Sequence, residues 1–177
     1  MNPQHTIPTL DDNGQYLWES NAICTYLTDK YAKDDHLYPK DLYTRAKIHQ
    51  RLHFDSSVLY VSTSACYMKV MYHAATEFPI DNIKELHSAY NFLEAFLAND
   101  EYLVGNNLTV ADYCVVASVS TAQIMAPLDP MKHPKLLNWL NRMENISFYS
   151  EDNGKGLAIY KNILLSKLEA NKAAAGK

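Results

Sequence analysis

The chain has 177 residues, 47% of them hydrophobic and 20% charged, with a net charge of −4. That length holds one ordinary domain, or a small one beside the remnant of another. The mildly acidic balance gives no electrostatic footprint for nucleic acid or an anionic membrane, and no apolar run has bilayer-spanning length, so neither is an expected partner.

Residues 6–10, Thr-Ile-Pro-Thr-Leu, are short, β-branched-rich and apolar, and predict a buried strand. Asn13-Gly14 is a strong hairpin signal because both residues tolerate positive φ. Residues 16–18 return as a second strand. Glu19 and Ser20 then open a helix, with Ser20 as its expected cap and Ala22, Ile23, Tyr26 and Leu27 at helical spacing. A two-stranded hairpin is marginal in water by itself. Residues 33–42 read as a polar linker in which Pro39 bars helix continuity.

Helices fill the rest, giving a division into residues 1–32, a linker 33–42, and an all-helical part 43–177. The first helix is predicted over 43–74, with Ile48, Leu52, Leu59 and Cys66 along one stripe. The second spans 82–98 behind an Asp81 cap, with Ile83, Leu86, Tyr90, Leu93 and Leu97 spaced three, four, three, four. Thr109 and Asp112 form a capping-box pattern, with Leu108 placed as a hydrophobic staple. Residues 110–126 are apolar or small on nearly every face, the mark of a buried central helix. Pro127, Pro130 and Pro134 interrupt the chain beyond it. A short helix over 134–143 turns Leu137 and Leu140 inward, and a last one over 154–168 carries Leu157, Tyr160, Leu164 and Leu168. Residues 172–177 read as a frayed tail.

Cys24, Cys66 and Cys114 form no CxxC pair and read as buried free thiols in a reducing, cytoplasmic compartment. The sequons at Asn107 and Asn145 are expected to stay bare. His49 and His53, four apart, have metal-chelating spacing, but Gln50 follows His49 and no third ligand is evident, so no metal is expected. Glu19 and Ser20 have two readings. The free N–H groups at a helix start suit a carboxylate, to which Ser20 can donate while Glu19 accepts from an amine. Alternatively, Ser20 is a cap and Glu19 only complements the helix dipole.

Several segments resemble one family. His5-Thr6-Ile7-Pro8-Thr9-Leu10, the hairpin, and Trp18-Glu19-Ser20-Asn21-Ala22-Ile23 resemble the glutathione-binding half of a cytosolic glutathione S-transferase of the insect delta or epsilon class, epsilon being the nearer. Leu37-Tyr38-Pro39-Lys40 is similar to that family's linker, Arg45-Ala46 with Gln50-Arg51-Leu52 and Phe54-Asp55 to its first long C-terminal helix, and Leu108-Thr109 with Ala111-Asp112 to its folding motif. The resemblance implies a mainly α fold, in which a strand-strand-helix remnant of a thioredoxin-like α/β domain precedes an all-α domain. It also implies that the first strand, first helix and second strand lie ahead of Met1, and the thiol-activating serine with them, leaving no catalytic residue in this chain.

By the same resemblance, His5 meets the glycyl carboxylate of glutathione. Thr6, Ile7 and Pro8 form the segment that pairs with the cysteinyl unit, through a cis Ile7-Pro8 bond, and Glu19 and Ser20 hold the γ-glutamyl end. Asn21 stands where the insect classes carry Arg or His, which weakens the expected affinity. A pocket for a hydrophobic electrophile is expected from Tyr60, Ser64, Tyr67, Met68, Met125 and Tyr160, each of which has an alternative reading as core. The implied activity is conjugation of glutathione, the co-substrate, to hydrophobic electrophiles in detoxification or endogenous metabolism, by a homodimer. The alternatives are a non-catalytic binding or regulatory module and an unproductive fragment.

Overall fold

A computed structural model describes residues 1–176. Strand β1 (Thr9–Asp12) pairs antiparallel with β2 (Gln15–Trp18), from Thr9 opposite Trp18 to Asp12 opposite Gln15. Asn13 and Gly14 close the turn at φ 54° and 85°, and the Asp11 carboxylate accepts the Gly14 N–H at 2.7 Å. The strand starts at Thr9 rather than at residue 6 because its expected first residues are committed elsewhere. The Thr6 carbonyl accepts from Asn2 Nδ2 at 2.9 Å and from Thr9 Oγ1 at 3.0 Å, and Pro8 has no N–H to offer a ladder.

Helix α1 (Ser20–Tyr31) follows β2 directly. The long helix expected over 43–74 is α2 (Leu42–Phe54) and α3 (Tyr60–Tyr72), joined without a break by a π-helical turn, Asp55–Leu59. Side chains supply hydrogen bonds around the altered ladder. Ser57 Oγ donates to the His53 carbonyl at 2.7 Å, and Asn21 Nδ2 on α1 donates to the Leu52 carbonyl at 3.0 Å. The predicted stripe of Ile48, Leu52, Leu59 and Cys66 is buried throughout.

Helix α4 (Ile80–Phe96) starts two residues before its expected position, with Pro79 as N-cap and Asp81 inside the first turn. Helix α5 (Val110–Ala122) ends four residues early, in a tight turn through which Ala126 N–H returns to the Ala122 carbonyl. In α6 (Pro134–Glu144) the inward stripe is Leu136, Trp139, Leu140 and Met143, while the expected Leu137 is only half-buried. A second π turn, Ser150–Gly154, leads into α7 (Lys155–Ala175). The C-terminal residues expected to fray are helical through Ala175. Buried Asn171 anchors them by donating through Nδ2 to the carbonyls of Val70 and Ala75, each at 2.9 Å. Lys177 lies outside the described residues.

Helix α5 is central. Val115, Val119 and Ala122 are fully buried against Leu86, Tyr90 and Leu93 of α4, Trp139 of α6 and Leu164 of α7. The Asp112 carboxylate ties this centre together. It accepts from the Thr109 N–H and Oγ1, completing the predicted capping box, and also from the Leu103 N–H and Trp139 Nε1, all at 2.9 Å. Asp112→Ala therefore leaves the Trp139 and Leu103 N–H groups buried and unpaired, and is expected to lower the unfolding free energy by about 3 kcal/mol or more. Urea titration of variant and parent measures the difference. A loss under about 1 kcal/mol, the worth of one ordinary hydrogen bond, would show that the network is not a structural centre.

Candidate functional site

Because Thr9 pairs with Trp18, Pro8 and Glu19 leave the hairpin at the same end. The register thus brings the two expected binding segments, 5–8 and 19–21, to one edge of the molecule. The first is an exposed loop containing a cis Ile7-Pro8 bond, with Ile7 94% exposed and His5 in the left-handed region at φ 55°. Asn2 organises it. This buried side chain donates to the Thr6 carbonyl and to the hydroxyls of Thr6 and Thr9, and accepts the Gln4 N–H at 2.8 Å. Sequence reasoning passed over Asn2, whose only signal was an Asn beside a Pro-containing loop.

Glu19 is the joint between β2 and α1. It takes φ 72° and ψ 111°, backbone space that L residues rarely adopt and that concentrates at functional sites. Glu19, not Ser20, is the N-cap, and no side chain caps the helix. Ser20 is its first helical residue. The N-terminal N–H groups of α1 are therefore left without a side-chain acceptor, beside two exposed polar side chains. The contrast with α5, whose start is closed by Thr109 and Asp112, is direct. Asn21 turns toward the helical part, where its amide serves the Leu52 carbonyl.

Beside Asn21, the first residue of the π turn is a buried carboxyl, Asp55, which the sequence did not single out as functional. Its Oδ1 has no hydrogen-bond partner. Burial pushes its pKa up from the usual carboxylate value, against hydrogen bonding from Ser118 and Asn21.

Four of the expected electrophile residues, Tyr60, Ser64, Tyr67 and Met68, lie on α3 at helical spacing, with Tyr60 and Met68 exposed. Tyr160 of α7 packs edge-on to Tyr67, with ring centroids 5.9 Å apart, and its enclosed hydroxyl has no partner. Burial pushes the Tyr67 phenol up to about 12 and raises Tyr160 further. Met125 does not join them. It is 5% exposed and packs in the main core. A cavity of about 190 Å³ opens between α5, the end of α6 and the second π turn, lined by Tyr113, Val116, Met143, Ile146 and Tyr149, and none of the six expected residues lines it. His49 Nε2 is hydrogen-bonded to the Tyr38 hydroxyl, which occupies one of the two rings that have chelating spacing. Among the described residues no group of three or more His, Cys, Asp or Glu stands together to hold a metal, and no helix is long and apolar enough to cross a membrane.

Residues 1–30 match the model of the glutathione S-transferase N-terminal domain, and residues 62–146 match that of the C-terminal domain. Glutathione S-transferase 1 of Manduca sexta is 40% identical over 169 residues, spanning 95% of this chain and 77% of that protein. This chain belongs to the glutathione S-transferase family. By itself the match does not support a lost segment ahead of Met1. The epsilon-class glutathione S-transferase of the housefly Musca domestica superposes with a TM-score of 0.90 at 41% identity, over 94% of this chain and 77% of the other. A glutathione transferase homologue from Drosophila mojavensis, solved with bound glutathione, superposes at 0.89 and 38% identity, over 94% and 76%. The mainly helical architecture behind a thioredoxin-like N-terminal part is the one the resemblance implied.

The raised pKa of Asp55 gives a pH prediction with a definite sign. A carboxyl whose folded pKa lies above its unfolded value of 3.8 favours the folded state when protonated, and that contribution is lost as pH rises through the folded pKa. Asp55→Asn removes the ionisation. The variant is expected to gain stability relative to the parent at pH 7, and the gain should shrink as pH falls toward 4. Urea midpoints at several pH values test this, and a difference independent of pH would show that Asp55 does not titrate abnormally.

Proposed function

We propose that this chain binds glutathione at the shared edge of the hairpin, as an epsilon- or delta-type transferase that conjugates it to hydrophobic electrophiles. The observation that carries this reading is the uncapped start of α1 behind a left-handed Glu19, at the same end of the hairpin as the exposed 5–8 segment. Free N–H groups and the helix dipole attract the γ-glutamyl carboxylate, with Ser20 as an additional donor and Glu19 as acceptor for the amine. The backbone at Ile7 pairs with the cysteinyl unit, and His5 faces the glycyl carboxylate. The electrophile lies along Tyr60, Ser64, Tyr67, Met68 and Tyr160, whose aromatic and apolar faces suit a flat hydrophobic molecule. The working state is a cytoplasmic homodimer without a metal.

Conjugation needs a thiolate held beside the electrophile, so proximity and thiol activation supply the rate. Two hydroxyls lie within the binding segments. Ser20 serves the carboxylate, and Thr6 Oγ1 already accepts from Asn2 Nδ2 at 2.9 Å. On this reading neither segment holds a counterpart of the family's thiol-activating serine, so this chain binds glutathione but conjugates it slowly.

Calorimetric titration with glutathione tests the site. Ser20→Ala is expected to weaken binding about tenfold or more, the worth of a hydrogen bond to a charged group. Unchanged affinity rejects this location. The conjugation rate of the folded chain with a chlorinated dinitrobenzene is expected to stay close to the uncatalysed rate. Turnover matching that of an active family member would place thiol activation among the residues of this chain.

A further inference from the structure

The segment from Pro3 to Pro8 is exposed at every residue, so no hydrophobic burial holds its shape. Among residues 1–8 only Asn2 is buried, at 9% exposure. Asn2 grips the segment through both side chain and backbone. Its Oδ1 accepts the Gln4 N–H at 2.8 Å, and its backbone carbonyl accepts the His5 N–H at 3.3 Å. Its Nδ2 donates to the Thr6 carbonyl and to Thr6 Oγ1, each at 2.9 Å, and to Thr9 Oγ1 at 3.1 Å. Thr9 Oγ1 in turn donates to the Thr6 carbonyl at 3.0 Å. Thr9 is the first residue of β1 and pairs with Trp18, the residue before Glu19. One side chain therefore ties an exposed segment to the hairpin whose other strand leads into α1. His5, between these tethers, sits in the left-handed region at φ 55°, a conformation that persists in a residue with a side chain only where its surroundings fix it.

We propose that Asn2 is a positioning residue for the glycyl end of glutathione, holding the backbone of residues 4–6 in the one arrangement that turns His5 to the glycyl carboxylate. The inference rests on the reading of residues 5–8 as part of the glutathione site. Asn2 acts through the loop, because its amide oxygen and nitrogen are already engaged within the protein. An amide has two N–H donors, and here they serve three acceptors, so none is left for a ligand. Without these bonds the exposed segment samples other conformations, and a ligand that needs one of them must order the segment as it binds, which subtracts from its affinity. The γ-glutamyl end is held by a different element, the start of α1, so the loss falls on the part of the ligand that residues 5–8 meet. Asn2 thereby sets the preference for the tripeptide over γ-glutamylcysteine, which lacks the glycyl unit.

The test is calorimetric titration of the full chain with glutathione and, separately, with γ-glutamylcysteine. The parent is expected to bind glutathione about tenfold more tightly or more, the worth of a hydrogen bond to a charged group. In Asn2→Ala, shown to be folded by circular dichroism, that preference is expected to fall to about threefold or less, half the free energy. A merely structural loss weakens both ligands by the same factor and leaves the preference where it was. Should Asn2→Ala fail to fold, Thr9→Val decides. It keeps a β-branched residue in the strand, removes one partner of Asn2 Nδ2, and is expected to lower the preference in the same direction. Glutathione bound by the parent with no preference over the dipeptide, or a preference that the folded variant retains in full, overturns the inference while the site itself stands. Absence of binding of either ligand to the parent rejects the site, and the inference with it.

Discussion

The structure depends on one buried carboxylate. Asp112 sits at the start of the most buried helix and accepts hydrogen bonds from its own cap residue, from the loop at Leu103, and from the indole of Trp139 on α6. A buried polar group is tolerated only when its partners are complete, and a complete set specifies one arrangement of the elements that contribute it. Here the contributors are the segment before α5, α5 itself and α6. The apolar helices α4 and α7 pack on the frame they make, so the position of α5 is set by direction-specific bonds as well as by non-directional hydrophobic burial.

From α5 the constraint passes to the edge that carries the proposed chemistry. Cys24 of α1 and Cys114 of α5 pack against the same small apolar cluster, and α1 reaches α2 through the Asn21 amide on the Leu52 carbonyl. That carbonyl lies three residues before Asp55, the first residue of the π turn, where the ladder is altered and side chains supplement the backbone bonds. The π turn also places the carboxyl of Asp55 inside the protein beside Asn21, next in sequence to Ser20. A local irregularity of the long helix, a buried acid and the helix of the proposed site thus meet at one point, as π turns commonly do at functional places.

The two helix starts show how the same physics yields opposite outcomes. At α5 the cap is closed by Thr109 and Asp112, and the start is structural. At α1 the chain enters through a left-handed Glu19 with no side-chain cap, and the N–H groups stay open to a ligand. From the sequence, Ser20 could be read as a cap or as a donor to a bound carboxylate, because Ser, Glu and Asn at a helix start suit capping and anion binding equally well. The distinction rests on one backbone angle, which residue types do not encode.

The amino-acid sequence by itself determined the elements and the family. The Asn13-Gly14 turn, the capping box, the stripe from Ile48 to Cys66 and the stripe in α4 are short-range patterns, set by residues a few positions apart, and each appears where the pattern required. The order of the motifs also carried the family, which the matches over both of its domains bear out. Only the tertiary structure decided the rest. It started β1 late because Asn2 claims the Thr6 carbonyl, kept the C-terminal helix intact because Asn171 reaches α3, sent Met125 to the core, and set the buried Asp55 beside Asn21. Each of these outcomes is a contact or enclosure set by three-dimensional packing rather than by a repeating local pattern, and hydrophobic periodicity reports only which face of an element is buried, not which polar group will meet it there.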